Sequence, residues 1–148
     1  LLGRRQRQMC IRDRLMVERL LTEYRINIMS TRAQVRFATR EEGVSFSEHP
    51  SVIHAQFYCH YDGYPEGLGV DIAESLTKYK KIEYGWEIEE LCAKHGDLEY
   101  IYYVWQSKYK STWISIFKVG YEEEDKCIFV GEPSNLIDKY KRNTNTDG

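Results

Sequence analysis

Polar and apolar residues alternate along some stretches of the chain and recur at helical spacing along others. Ala33, Val35 and Phe37 alternate with Gln34, Arg36 and Ala38, which predicts a half-buried strand running to about Thr39. His54–Tyr61 alternates again, with Ala55, Phe57, Cys59 and Tyr61 on one face and His54, Gln56, Tyr58 and His60 on the other. Residues 40–52 hold a glycine, a proline and several acids, and read as a connection with a short extended piece at Val44–Phe46. Leu68, Ile72, Leu76 and Tyr79 recur three and four apart and predict a helix with one apolar stripe. A shorter helix is predicted over Trp86–His95, with Trp86, Leu91, Cys92 and His95 inward and Gly96 as its stop. Leu98–Gln106 and Thr112–Val119, rich in Tyr, Ile, Val, Trp and Phe, predict a β-hairpin. Lys126–Val130 reads as a further strand, and Pro133 opens a last helix with Leu136, Ile137 and Tyr140 apolar. This order predicts an α+β fold: a single antiparallel sheet of four to five strands with two to three helices packed on one face.

Composition changes this picture mainly at the N-terminus. The 148 residues suit one domain, expected over residues 29–142, with a frayed tail over 143–148. Mean hydropathy is −0.60 and no run of about 18 apolar residues occurs, so a membrane-embedded helix is not expected. Residues 1–28 carry seven arginines, three acids and no lysine. Of the 21 basic and 23 acidic residues of the chain, 14 and 20 remain beyond that head, a net charge of −6. The run from Arg4 to Arg14, RRQRQMCIRDR, resembles one reading frame of a transposon-end adapter used in preparing sequencing libraries. That resemblance implies a non-native or untranslated head over residues 1–28 and a start at Met29. The alternative is a native amphipathic helix over Leu15–Tyr24. With the head set aside, the acidic remainder speaks against a nucleic-acid partner, because phosphate contacts need a basic groove. Cys59, Cys92 and Cys127 are scattered, without a CxxC pair, and read as reduced thiols of a cytoplasmic protein.

The densest chemistry lies in HYDGYPEGLG, His60 to Gly69. This segment resembles the signature of a family of short uncharacterised proteins common in bacteriophage and prokaryotic genomes, in which a strand ends in His or Arg before x-Asp-Gly-Tyr-Pro-Glu and a helix. The likeness extends from Met29 to about Tyr140 and includes FVGEPSNLIDKY, Phe129 to Tyr140. It implies a fold and a genomic setting, and no mechanism. Read from the residues, the segment has two meanings. In the first, Asp62 makes an Asx-type turn, Gly63 takes a positive φ, Pro65 presets the approach to the helix and Glu66 sits near its positive N-terminus. In the second, His60, Asp62, Gly63, Tyr64, Glu66 and Gly67 line a ligand site where glycines allow close approach and free N–H groups collect.

Neither GxxxxGK[ST] nor GxGxxG occurs, so no cofactor is expected. A metal reading joins His54, His60 and Asp62, with Glu66 or His49 completing the set. Yet His54 and His60 lie about 20 Å apart along a strand at ~3.3 Å per residue, so no metal is predicted. Cys59 and His60 face opposite ways, and Cys92 with His95 reads as a packed pair.

The hairpin carries aromatics on both faces: Tyr100 and Tyr102 on one, Tyr103 and Trp105 on the other, with Trp113 opposite. Helices covering one face would leave the other to a partner. The expectation is therefore a small binding module that engages a protein partner or a second copy through this surface. The alternative is a small-molecule or metal-assisted hydrolytic site at the HYDGYPEG turn, with His60 as acid/base or ligand and Asp62 as its carboxylate.

Overall fold

The chain divides into two units, Leu1–Ser30 and Thr31–Gly148. The computed structural model describes residues 31–79, 81, 85–91 and 93–145, all within the second. The basic head, the Leu15–Tyr24 stretch, Cys92 and residues 146–148 lie outside the described residues.

Strands β1 (Arg32–Thr39) and β2 (Val52–Cys59) form where the alternation predicts them. A single wide helical turn, Pro65–Gly69, feeds α1 (Val70–Lys78). Strands β3 (Trp86–Glu89), β4 (Leu98–Gln106), β5 (Thr112–Lys118) and β6 (Lys126–Gly131) precede α2 (Pro133–Asn145). The six strands form one sheet in the order β3-β2-β1-β4-β5-β6. Neighbours are antiparallel except β1 and β4, which run parallel at the centre. This corrects the expected antiparallel sheet of four to five strands to a mixed sheet, with six strands and two helices among the described residues. A parallel pair needs a long crossover, and residues 40–97 supply it.

Two local readings also change. Trp86–Glu89 is an edge strand, not the start of a helix, because Trp86 and Ile88 pair with Cys59 and Phe57 of β2. The α1 stripe is shorter than predicted: Leu68, Val70, Ile72 and Ala73 are buried, while Leu76 and Tyr79 are exposed. Tyr79 ends the helix in a left-handed conformation, φ 53°, with its side chain almost fully exposed. Residues 44–46 form no strand and lie in a turn-rich loop.

The core has two layers, one on each side of the sheet. On one side Val35, Tyr102, Ile114 and Ile116 pack beneath Ile72 and Ala73 of α1 and Leu136 and Tyr140 of α2. Burying such side chains contributes about 1.5–3 kcal/mol each. Among the described residues no helix covers the other side. There Tyr58, Ile101, Tyr103, Trp105 and Phe117 form a second cluster, roofed by loops. Phe46 stacks over Trp105 and Trp113 at 6.1 and 6.2 Å between ring centroids, and His49 stacks on Phe117 at 4.1 Å. His95 stacks on Tyr58 at 4.0 Å.

Helices cover one face and loops roof much of the other, which removes three of the five residues expected at an interaction surface from the exterior. Tyr102, Tyr103 and Trp105 are buried, and Tyr100 and Trp113 are half-buried. Alternation reveals that a strand is apolar on two sides, but not whether a partner or a distant loop covers the second.

Candidate functional site

The HYDGYPEG turn is spent on packing. Gly63 N–H donates to Thr31 O at 2.9 Å, and Gly67 N–H donates to Tyr64 O at 3.0 Å. A Cβ at Gly63 would stand 2.7 Å from Thr31 O and 2.8 Å from Ala33 Cβ; one at Gly67 would stand 2.8 Å from Asp62 O. The positive φ falls on Asp62, at 53°, not on Gly63. Glycine is needed at 63 because the turn's backbone passes close to Thr31 and Ala33 at the start of β1. The buried Tyr102 hydroxyl donates to Gly63 O at 2.5 Å, and Leu68 N–H to Asp62 O at 2.9 Å. The N–H groups expected to wait for a ligand at Gly63 and Gly67 are therefore occupied.

The other candidates are dispersed. His60 pairs with Glu87 Oε1 at 3.1 Å, His54 with Thr39 Oγ1 at 2.6 Å and His49 with Asp125 Oδ2 at 2.9 Å. Glu66 is exposed, and Tyr64 is half-buried against Gly67. Among the described residues no group of three or more His, Cys, Asp or Glu is placed to hold a metal ion. Burial, reinforced by nearby Glu89, pushes the Cys59 thiol up to about 12, away from thiolate chemistry.

The site that the fold does build lies at the carboxyl ends of β1 and β4. From that end β1 connects to β2 on one side of the sheet and β4 to β5 on the other. Where adjacent parallel strands send their connections apart, a crevice opens beyond their carboxyl ends, and ligands of open sheets bind there. Here the crevice is a cleft of about 610 Å³ lined by Phe37, Ala38, Thr39, His54, Leu76, Val104, Trp105, Gln106, Ser107 and Thr112. Its volume falls within the range of small-molecule sites.

A β-bulge equips the cleft with its imidazole. Phe37 stands opposite Ala55, but Ala38 stands opposite Ile53, so His54 is the extra residue. The bulge brings its ring to the Thr39 hydroxyl at 2.6 Å, and bulges re-aim side chains in this way beside functional sites. Phe37 is braced edge-on by Phe57, with ring centroids 6.0 Å apart and planes at 81°. Trp105 is anchored by its indole N–H on Ser115 Oγ at 2.9 Å. Ser107 is held by backbone and side-chain bonds to Ser111, at 2.7 and 2.6 Å. Among the described lining residues none is Lys, Arg, Asp or Glu.

A second polar constellation crosses the loop-covered face. Gln34 and Gln56, both fully buried, each donate to Glu89 Oε1 at 2.8 Å, and His95 Nε2 donates to Glu89 Oε2 at 2.5 Å. Burial by itself would push the Glu89 carboxyl up, but the bonds from His95, Gln56 and Gln34 outweigh it and hold it below the ordinary carboxylate range. Arg36 donates to Gln34 Oε1 at 2.7 Å and to the Tyr103 hydroxyl at 2.8 Å. That hydroxyl lies 2.7 Å from His49 Nδ1, and His49 Nε2 lies 2.9 Å from Asp125. The Asp125 carboxylate can only accept, so it calls for a proton on His49 Nε2, and a neutral His49 then accepts the Tyr103 hydroxyl proton at Nδ1. Burial lowers the His49 pKa more strongly than Asp125 raises it, in keeping with that assignment. The chain of bonds from His95 to Asp125 ties the loops before β2 and after β3 to the sheet.

Sequence reasoning noticed His54 and His49 only as metal ligands and did not single out Glu89, Gln34, Gln56, Thr39, Gln106 or Thr112. One signal was present: two glutamines at strand positions, Gln34 and Gln56, on the face shared with Arg36 and Tyr58. No protein-family model, no curated protein and no solved structure matches the chain.

Proposed function

We propose that the protein is a binding domain whose ligand is a small molecule held in the cleft at the carboxyl ends of β1 and β4. The observation that supports this is the conjunction, where the neighbouring parallel strands β1 and β4 send their connections apart, of an open apolar-walled crevice and a bulge that aims His54 into it. The reading keeps binding as the activity and moves its place. Of the five hairpin aromatics expected to meet a protein partner, Tyr102, Tyr103 and Trp105 are buried and Tyr100 and Trp113 half-exposed, and a ligand at the HYDGYPEG turn would find the N–H groups of Gly63 and Gly67 engaged. The phage-encoded, cytoplasmic setting implied by the sequence resemblance belongs to the same proposal.

The test is amide chemical-shift mapping of the full chain against a set of small fragments. Shifts are expected at Thr39, His54, Gln106, Ser107 and Thr112, and Leu76→Arg, at an exposed helix position on the rim, should abolish them. Fragments that gather instead at residues 60–67, or around Tyr100 and Trp113, would overturn the assignment.

A further inference from the structure

The lining of the cleft is unusual for a chain with 30% charged residues. Thr39, His54, Gln106, Ser107 and Thr112 bring five groups that hydrogen-bond without a fixed charge, and Phe37, Ala38, Leu76 and Val104 bring an apolar wall. We infer that the ligand is an uncharged planar heterocycle of the nucleobase type, seated with its ring face on Phe37 and its hydrogen-bonding edge toward Thr39, His54 and Gln106. This rests on the cleft being the binding site.

Other ligand classes fit the same lining less well. A phosphate or carboxylate would lose its hydration without meeting a cation among the described lining residues, a loss that burial makes large. The −6 charge of residues 29–148 adds a repulsive field. A purely aliphatic molecule would cover the polar side of the cleft, Gln106 and Thr112 among it, and return no bond to it. A planar heterocycle satisfies both halves of the site: its face covers apolar surface and its rim exchanges donors and acceptors, the way bases are read once out of a stack. Phe37 is suited to the first part. It is 36% exposed, and the edge-on Phe57 ring behind it restricts its rotation. His54 is suited to the second. With Nε2 engaged by Thr39, its Nδ1 is left to face a rim group that can donate or accept.

The experiment titrates the full chain with adenosine, uridine, their 5′-monophosphates, benzoate and cyclohexanol, following the amides of Thr39, His54, Gln106 and Thr112. Nucleosides should bind in the cleft and the monophosphates at least about fivefold more weakly. Phe37→Leu should weaken nucleoside binding about tenfold, within what an aromatic stack contributes to a base. Should Phe37→Leu fail to fold, Gln106→Leu supplies the second variant, and it should change the preference between adenosine and uridine. Monophosphates binding as tightly as nucleosides, or benzoate or cyclohexanol entering while neither nucleoside does, would overturn this inference and leave the cleft as the site. A cleft that no probe enters would overturn both.

Discussion

Gly63 shows how a residue can look functional and be structural. Its backbone passes so close to β1 that a methyl group would meet Thr31 O and Ala33 Cβ within 2.8 Å. Gly63→Ala should cost about 2 kcal/mol, the range of overpacking, read as a lower urea midpoint. Gly96→Ala is the control: nothing lies within 4 Å of a Cβ there, and its stability should stay within about 0.5 kcal/mol of the parent. Glu89 is the opposite case, unremarkable in sequence and central in structure. Glu89→Leu removes the shared acceptor of Gln34, Gln56 and His95 and should destabilise by about 3 kcal/mol, more than most single substitutions.

At the scale of elements, the loop between β1 and β2 does the work of a missing helix layer. It carries Phe46 onto the two tryptophans and His49 onto Phe117. Because folding lowers the His49 pKa below its ordinary 6.5, the folded state favours the neutral ring. The contribution of His49 is then full above about pH 6.5 and is lost as pH falls through the folded value. Urea midpoints should therefore decline from pH 7 to pH 5, and His49→Phe, which keeps a ring over Phe117, should flatten that decline. Glu89 acts in a lower window. Its carboxyl is held below 4.5, so its contribution is present above that pH and lost on further acidification. The elements themselves were legible wherever local rules set them: alternation in β1, β2, β4 and β5, and Pro133 at the first turn of α2. Trp86–Glu89 was not, because four residues carry too little periodicity to separate an edge strand from a helical turn. What decided it was pairing with β2.

For the whole molecule, stability should be graded from the centre of the sheet outward. In β1, Ala33, Gln34 and Val35 are consecutive and fully buried, as are Tyr102 and Tyr103 in β4. Ile88 on the edge strand β3 is 77% exposed. Native-state hydrogen exchange should be slowest in β1, β4 and β5 and fastest in β3; equal protection of β3 and β1 would contradict this gradient. The amino-acid sequence by itself determined five of the six strands and the two helices, where several begin and end, and that the hairpin is apolar on both faces. These are local properties, set by side-chain alternation, helical spacing and turn residues. Only the tertiary structure decided that β1 lies parallel to β4, bringing Thr39 and Gln106 to one cleft, that a bulge opposite Phe37 aims His54 there, and that loops roof the aromatic face. Those outcomes depend on register and packing between segments distant along the chain, which a local pattern of polar and apolar residues does not encode.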